Sequence, residues 1–507
     1  MTFGRSRNFA AFFFAFAVAA VCARPADATI RYRVSLANPE RHLFHVTMTI
    51  PVAGNDRELR VQMAAWNTLY QVRDFAYRVR DLNAAGRRLA EKIDKQTWRF
   101  DLGANDSAPH LLTLNYSIYW DEPGPFNSQL NTHHGFVNLA EILMYVPTRR
   151  AEPAEIAFDD MPAGWSIAVE LPALHDPNSF AAPSYDALVD APVEAGKIDA
   201  FEFDSAGGHF RVVMDAGSTN RGRLQAALER ITAYQIHMMG GAPFRQFTFF
   251  VHTGADSAMG GGGMEHMFST AIAGPSLEAD VALSAHEFFH VWNVKRIRPQ
   301  SLEPIDYSKE QYTRSLWFAE GFTDAYTSYT LERTGLWSKK QFYDDLAEQI
   351  ERIETRPAHA WQSVEESSLD AWFEKYDGYN VPERSISYYD KGQVLGELLD
   401  LEIRDATDNH KSLDDVFRLM NDKFAKQGKF YDENVDIRAS VDEVAGQGFE
   451  DFFRRYISGV EEPPYNEILG IAGLELKTDA GYLINELPHP TDRQRRIREG
   501  VLRGSTD

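Results

Sequence analysis

Cysteine is almost absent from this sequence of 507 residues. The single one is Cys22, in a segment that we expect to be removed from the mature protein. Disulfide bonds therefore cannot stabilise the mature chain, and a closed structural zinc site built on cysteines is excluded. Stability must come from a buried core, for which a hydrophobic content of 44% is ordinary.

Positive charge is also scarce. The chain has 52 Lys and Arg against 74 Asp and Glu, a formal net charge of -22. Such acidity favours solubility and argues against nucleic acid or an anionic membrane as a partner. It identifies no substrate, and the sequence leaves the oligomeric state open.

The first 28 residues have the pattern of a secretory signal peptide. Arg5 and Arg7 precede an apolar run from Phe9 to Val21, and small-residue cleavage sites follow at Val21-Cys22-Ala23 and Ala26-Asp27-Ala28. The run is short for a membrane span, although an uncleaved anchor is the alternative. We expect an exported protein, periplasmic or extracellular, with no stable membrane insertion after cleavage.

Residues 29–221 have the two-residue period of β-strands. Phe44, Val46, Met48 and Ile50 alternate with polar neighbours, and a second such run extends from Leu112 to Trp120. The sequence predicts an N-terminal β-rich domain, of the sandwich type.

The spacing of apolar residues changes near Arg223 from the two-residue period of strands to that of helices. Apolar positions from Leu224 to Met238 predict a helix that ends at Gly240-Gly241, and a strand follows from Phe247 to Val251. Helical patterns dominate further on, among them those of Val394–Ile403 and Leu413–Phe424. We predict a catalytic domain of mixed α and β character over residues 222–462, followed by a short C-terminal segment, 463–507.

The strongest chemical signal is His286-Glu287-Phe288-Phe289-His290, an HExxH string. Residues four apart share one helix face, so both imidazoles can bind one Zn²⁺ while Glu287 accepts a proton as general base. An ordinary amphipathic helix is the alternative. The string therefore needs a third ligand.

Glu320 is the candidate third ligand. It lies among Leu316, Phe318 and Ala319, where an isolated buried carboxylate would be costly without a cation. Asp324, four residues later, is placed to accept the spare N–H of a ligating histidine. A solvated acidic edge is the alternative. Three protein ligands would leave the fourth position of one catalytic zinc ion open for water.

Two further segments contain residues that could bind the substrate or stabilise a reaction intermediate. In the glycine-rich segment, Gly262 and Gly263 would let a substrate backbone approach, and Glu265 could pair with a cationic group; Met264 and His266 complete the candidate substrate-binding set. A mobile surface loop is the alternative, and His266 is not needed as a metal ligand. In Ser387-Tyr388-Tyr389, a phenol beside zinc could stabilise an oxyanion, or both tyrosines could pack a helix start.

These residues resemble those of the glycyl aminopeptidase family. The resemblance is most specific in two stretches, His286-Glu287-Phe288-Phe289-His290-Val291-Trp292-Asn293 and Trp317-Phe318-Ala319-Glu320-Gly321. It implies an α+β multidomain protein, with an N-terminal β-sandwich-like domain followed by a thermolysin-like catalytic domain of mixed α/β and helical structure. It also implies one zinc ion on His286, His290 and Glu320, and peptide substrates with a free N-terminus.

The resemblance also assigns roles to individual residues. It makes Glu287 the general base, Glu265 the group that holds the substrate's α-amine, and Tyr389, rather than Tyr388, the oxyanion-stabilising tyrosine. It implies a preference for Gly or Ala at the first position. A zinc endopeptidase and a non-enzymatic peptide-binding protein on a peptidase scaffold are the competing functions.

The sequence departs from the family pattern at its end. Family members commonly carry a C-terminal PDZ-like domain, whereas only about 33 residues follow Leu474. We expect that domain to be absent or vestigial. The basic stretch from Arg493 to Arg503 is expected to be a solvated helix or a frayed end.

Overall fold

The computed structural model describes residues 29–54, 56–67, 69–84, 90–102, 110–214, 220–253, 261–374 and 381–504. The predicted signal peptide lies outside these residues. No helix among those described is both long enough and apolar enough to cross a membrane.

The first part of the chain is built almost entirely from short strands. They are β1 (Ile30–Ser35), β2 (Leu43–Val52), β3 (Glu58–Gln62), β4 (Val79–Ala84), β5 (Glu91–Lys92), β6 (Thr97–Asp101), β7 (His110–Tyr119), β8 (Gln129–Leu130), β9 (His134–Val137), β10 (Ala154–Asp159), β11 (Ser166–Ala168), β12 (Ser179–Ala182) and β13 (Val193–Gly196), with one short helix, α1 (Tyr185–Val189). The prediction of an N-terminal β-rich domain is confirmed.

These strands form three sheets, in the orders β12-β10-β1-β2-β7-β4, β11-β13-β9-β8 and β3-β6-β5. The alternation seen in the sequence sets the register of the largest sheet. Phe44 pairs with Ile118 and Met48 with Leu114 across β2 and β7, and all four side chains are fully buried. One face of this sheet therefore lines the N-terminal core, as the two-residue period requires.

A further sheet, of five strands, begins the catalytic part. Its strands are β14 (Asp199–Ser205), β15 (Gly208–Met214), β16 (Gln246–Thr253), β17 (Gly262–Glu265) and β18 (Ser269–Gly274), in the order β14-β15-β16-β18-β17. The three inner strands are parallel, and the outer two run antiparallel to their neighbours. Because β14 and β15 belong to this sheet, the sheet begins before the boundary predicted at residue 221.

Helices cover this sheet and form the rest of the catalytic part. They are α2 (Arg221–Met238), α3 (Leu277–Phe289), α4 (Phe322–Arg333), α5 (Lys339–Glu354), α6 (Val364–Leu369), α7 (Ala371–Glu374), α8 (Tyr388–Ala406), α9 (Leu413–Lys423), α10 (Asp436–Ala445), α11 (Glu450–Phe452) and α12 (Tyr465–Gly470). Aromatic rings join the layers. Phe288 of α3 packs edge-on against Phe210 and Phe247 of the sheet, and Phe289 stacks on Tyr326 of α4 at 4.4 Å. The α3 helix is thus packed between the sheet and the other helices.

The C-terminal segment consists of the hairpin β19 (Leu474–Lys477) and β20 (Leu483–Glu486) and the helix α13 (Asp492–Arg503). The basic stretch forms a helix rather than a frayed end, and this helix is solvated on one side only. Ile497 is fully buried and Val501 nearly so, in the same core as the catalytic helices, and the Val501 carbonyl accepts a hydrogen bond from Arg333. The two apolar residues lie four positions apart, so they form one helix face that the surrounding arginines obscured in the sequence.

Candidate metal centre and active site

The two histidines of the HExxH string lie at the end of α3. Ser276 caps the start of this helix by accepting a hydrogen bond from the Ala279 amide, and His290 is the capping residue at its end. The Nε2 atoms of His286 and His290 face each other at 2.9 Å. The four-residue spacing therefore brings both imidazoles to one point, as the sequence predicted.

Glu320 meets them from a different element. It lies in a π-helical turn, Trp317–Gly321, immediately before α4, whereas the sequence predicted an ordinary helix. The Asn293 side chain, just beyond α3, holds this turn by donating to the carbonyls of Phe318 (2.8 Å) and Ala319 (3.2 Å). Single π-turns within helices are frequent at functional sites, and this one aims a carboxylate at the histidines.

The three side chains present a triangle of ligand atoms. Oε2 of Glu320 lies 3.5 Å from Nε2 of His286 and 3.3 Å from Nε2 of His290, which closes the triangle with the 2.9 Å separation of the imidazoles. Ligands 2.0 to 2.1 Å from a tetrahedral zinc ion are separated from each other by about 3.3 Å. The donor set and its spacing fit Zn²⁺.

The far side of each imidazole is anchored. Nδ1 of His286 lies 2.7 Å from Oδ1 of Asp324, and Nδ1 of His290 lies 2.5 Å from the Asn293 carbonyl. Both acceptors require a proton on Nδ1, so both Nε2 lone pairs point into the triangle. Such outer hydrogen bonds fix the tautomer and raise the basicity of metal-ligating histidines.

The charged groups of the triangle shift one another's pKa. Burial lowers the pKa of His286, but the carboxylates of Asp324 and Glu320 outweigh it and raise that pKa well above its ordinary value. For Glu320, burial raises the pKa, but the two histidines outweigh it and hold it far below its ordinary value. The carboxylates therefore favour positive charge at this point, and a cation bound by the neutral imidazoles and Glu320 would supply it.

Glu287 lies beside the triangle and is almost completely buried. Burial raises its pKa, while His286 and His290 act in the opposite direction. Its Oε2 atom has no hydrogen-bond partner among the described residues. Gly263 lies against it so closely that an added Cβ would overlap the Glu287 carboxylate. A side chain at position 263 would therefore displace the candidate base.

Glu265 lies on the same side of the site. One of its carboxylate oxygens, one from Glu287 and a ring nitrogen of His290 all lie within 4.8 Å of one another. It is carried by β17, an edge strand that pairs with β18 on one side. The structure thus brings Gly263 and Glu265 to the ligand triangle.

Met264 and His266 are not brought to the triangle. Both line a separate cavity of about 760 Å³, which none of the three candidate ligands reaches. There His266 faces Asp190, at 3.6 Å, and Asp190 is paired with Lys295 at 2.7 Å. Successive side chains of a strand point to opposite faces, which explains the division between Glu265 and its two neighbours.

The two candidate tyrosines differ in position. Tyr389, at the start of α8, is partly exposed, and its ring centroid lies 6.4 Å from that of His286. Tyr388 is fully buried and stacks on Tyr389 at 4.7 Å. α8 comes so close because Gly392 packs directly on Gly321, where a Cβ on either residue would collide with backbone. The glycine contact places Tyr389 beside the Glu320 turn.

Comparison with known families identifies the chain. The profile of the M61 glycyl aminopeptidase matches residues 279–395, and that of the M61 N-terminal domain matches residues 31–197. The chain belongs to the M61 glycyl aminopeptidase family. It is therefore a zinc metallopeptidase of the aminopeptidase class, as the sequence predicted. A search of curated proteins finds no match.

Solved structures agree on the fold of this M61 peptidase. An aminopeptidase N family protein from Idiomarina loihiensis is 26% identical, with a TM-score of 0.82 over 89% of this chain and 81% of that chain. The M1 zinc metallopeptidase of Deinococcus radiodurans is 14% identical, with a TM-score of 0.51 over 86% of this chain and 94% of that one. Aminopeptidase A of Legionella pneumophila, in complex with aspartic acid, is 13% identical, with a TM-score of 0.51 over 85% of this chain and 49% of that chain. The predicted fold, a β-rich domain followed by a thermolysin-like catalytic domain, is confirmed.

The N-terminal part of this M61 peptidase contributes two aromatic residues that the sequence analysis missed. Burial raises the pKa of Tyr70 well above its ordinary value, and the charges of Glu320 and Glu265 add to the effect, which places the phenol near both carboxylates. The Phe126 ring lies against Gly262, where it would touch an added Cβ at 2.9 Å. Neither residue lies in a recognisable motif, so only the tertiary fold could reveal them.

Proposed function

We propose that this protein is an exported aminopeptidase that uses one catalytic zinc ion to hydrolyse the first peptide bond of peptides. The observation that carries the proposal is the ligand triangle of His286, His290 and Glu320, with Glu287 and Glu265 on the same side of it. When bound, Zn²⁺ would supply an activated water and a Lewis-acid contact for the scissile carbonyl.

Glu287 is the proposed general base. Its carboxylate is next to the ligand triangle, and its unpartnered Oε2 can accept the proton of the attacking water. Burial disfavours the charged carboxylate, which increases its tendency to take that proton. The same group can then deliver the proton to the leaving amine.

Glu265 is the proposed anchor for the substrate's α-amine. One carboxylate oxygen of Glu265 lies within 4.8 Å of an oxygen of Glu287 and of a ring nitrogen of His290. An α-amine bound to Glu265 would therefore leave space for a single residue between itself and the scissile bond. Among the described residues β17 is the last strand of its sheet, and its outer edge can pair with the substrate backbone by β-strand addition. Together, these two contacts favour removal of single residues over cleavage inside a chain.

Tyr389 and Tyr70 are proposed to shape the reaction centre. Tyr389, next to His286, can donate its O–H to the oxyanion that forms during hydrolysis. Tyr70, near Glu265 and Glu320, and Phe126, against Gly262, would restrict the volume available to the first side chain. This crowding supports a preference for Gly or Ala at the first position.

A peptide panel tests the proposed function. Glycyl and alanyl peptides, each with a free and an N-acetylated amino terminus, are incubated with the mature protein with and without a chelator. We expect cleavage of the free peptides only, lost with the chelator. Efficient cleavage of acetylated peptides would instead indicate an endopeptidase, and the Glu265→Ala variant should lose activity on free peptides selectively. Export is tested by fractionating cells that express the full chain, because retention in the cytoplasm would contradict it.

A further inference from the structure

A second cluster of two histidines and a glutamate lies where the N-terminal and catalytic parts meet. His134 is on β9, Glu194 on β13 and His252 on β16. Phe136 and Phe250 pack beside them in a small apolar core shared by the two sheets. The cluster therefore bridges the sheet β11-β13-β9-β8 and the five-stranded catalytic sheet.

Glu194 lies between the two imidazoles. Nδ1 of His134 is 2.9 Å from Oε1, and Nε2 of His252 is 3.1 Å from Oε2. One potential ligand atom from each residue lies within 4.8 Å of the others, the same spacing that holds for the candidate catalytic set. The Glu194 side chain is only 7% exposed, so water screens its charge poorly.

A hydrogen-bond chain fixes the proton on His134. The Gln129 amide nitrogen donates to Asp121 at 3.0 Å, which orients the amide oxygen of Gln129 towards Nε2 of His134 at 3.2 Å. Nε2 must therefore carry a proton. In the neutral imidazole, Nδ1 then presents a lone pair to the Glu194 oxygen, and two acceptors at 2.9 Å need a cation or a second proton between them.

We propose that His134, Glu194 and His252 bind a second Zn²⁺ ion, distinct from the catalytic one. Two imidazoles and a carboxylate are a normal zinc donor set, and the anchored outer nitrogen of His134 matches the arrangement at His286 and His290. The three residues line a cavity of about 420 Å³ that also admits water as a further ligand. The ion joins the N-terminal sheet to the catalytic sheet and stabilises their relative position.

Zinc counting tests the second site. The mature protein is loaded with zinc, desalted and analysed by mass spectrometry of the metal. We expect two zinc equivalents per wild-type chain and one in Glu320→Ala, which lacks a catalytic ligand. His252→Ala should also retain one, and the double variant none. Glu194→Gln, which keeps the side-chain volume, provides a second test if His252→Ala does not fold.

The matched control is His209→Ala. His209 also contacts two carboxylates, those of Glu202 and Asp204, but on an exposed surface, so this variant should retain the wild-type zinc content. Zinc should also raise the melting temperature of Glu320→Ala but not that of the double variant. One equivalent in the wild type and none in Glu320→Ala would overturn the proposal.

Discussion

The Asn293 side chain offers a direct test of how the third ligand is positioned. Its amide donates to two carbonyls of the π-helical turn and to Oγ1 of Thr323 at 3.2 Å, and all of these groups are buried. Asn293→Ala removes the donors and leaves the carbonyls of Phe318 and Ala319 with weaker pairing. The turn that carries Glu320 would then be free to shift away from the histidines.

The substitution is expected to lower both the folding free energy and the affinity for zinc. Unpaired buried polar groups of this kind cost about 1 to 3 kcal/mol of folding free energy. Loss of the groups that orient a ligand typically lowers metal affinity by about 10- to 100-fold. We therefore expect Asn293→Ala to melt at a lower temperature, to bind zinc more weakly in competition with a chelator, and to recover most of its turnover when zinc is in excess.

Asn138→Ala is the matched control. Asn138 is equally buried, and its amide also donates to two backbone carbonyls, those of Pro125 and Asn127, but it lies in the N-terminal part. This variant should lose stability and keep its catalytic zinc affinity. If both variants lose stability alike and neither loses zinc affinity, Asn293 serves only packing, and our account of the Glu320 turn is refuted.

Three further substitutions test the surroundings of the metal. Tyr389→Phe should lower kcat by roughly 10²-fold with little change in zinc content, because it removes one oxyanion donor; an unchanged kcat would exclude that role. Gly263→Ala should abolish most turnover, since its Cβ overlaps Glu287. The matched control is Gly222→Ala, where an added Cβ meets no atom and φ is not positive; this variant should keep wild-type turnover. Tyr70→Ala should raise kcat/KM for leucyl relative to glycyl peptides, and an unaltered ratio would show that Tyr70 does not limit the first-residue pocket.

The local parts of the site could be predicted because they depend on short periodicities. The spacing of His286 and His290 fixes a shared helix face, and the apolar neighbours of Glu320 mark its carboxylate as buried. Likewise, the alternation of Phe44 to Ile50 was enough to predict the strand β2 and its buried face. These features require only the geometry of one helix or one strand.

The parts of the site and fold that the sequence did not predict depend on contacts between distant segments, which no local pattern encodes. Tyr70 and Phe126 reach the site only because the N-terminal part folds against β17. The π-turn at Glu320 depends on Asn293, 27 positions earlier in the chain, and on the contact between Gly321 and Gly392. The burial of Ile497 could not be predicted, because Ile497 and Val501 are the only buried residues of α13 and the segment around them is strongly basic.

The central claim is that one buried carboxylate acts as the base beside a metal that other residues hold. Glu287→Gln tests it most directly, by parallel measurement of zinc content and of turnover on a free glycyl peptide. The account predicts wild-type zinc content and turnover reduced at least about 10³-fold, since the amide keeps the shape of the side chain but cannot take the proton. Substantial turnover by a zinc-loaded Glu287→Gln variant would contradict it.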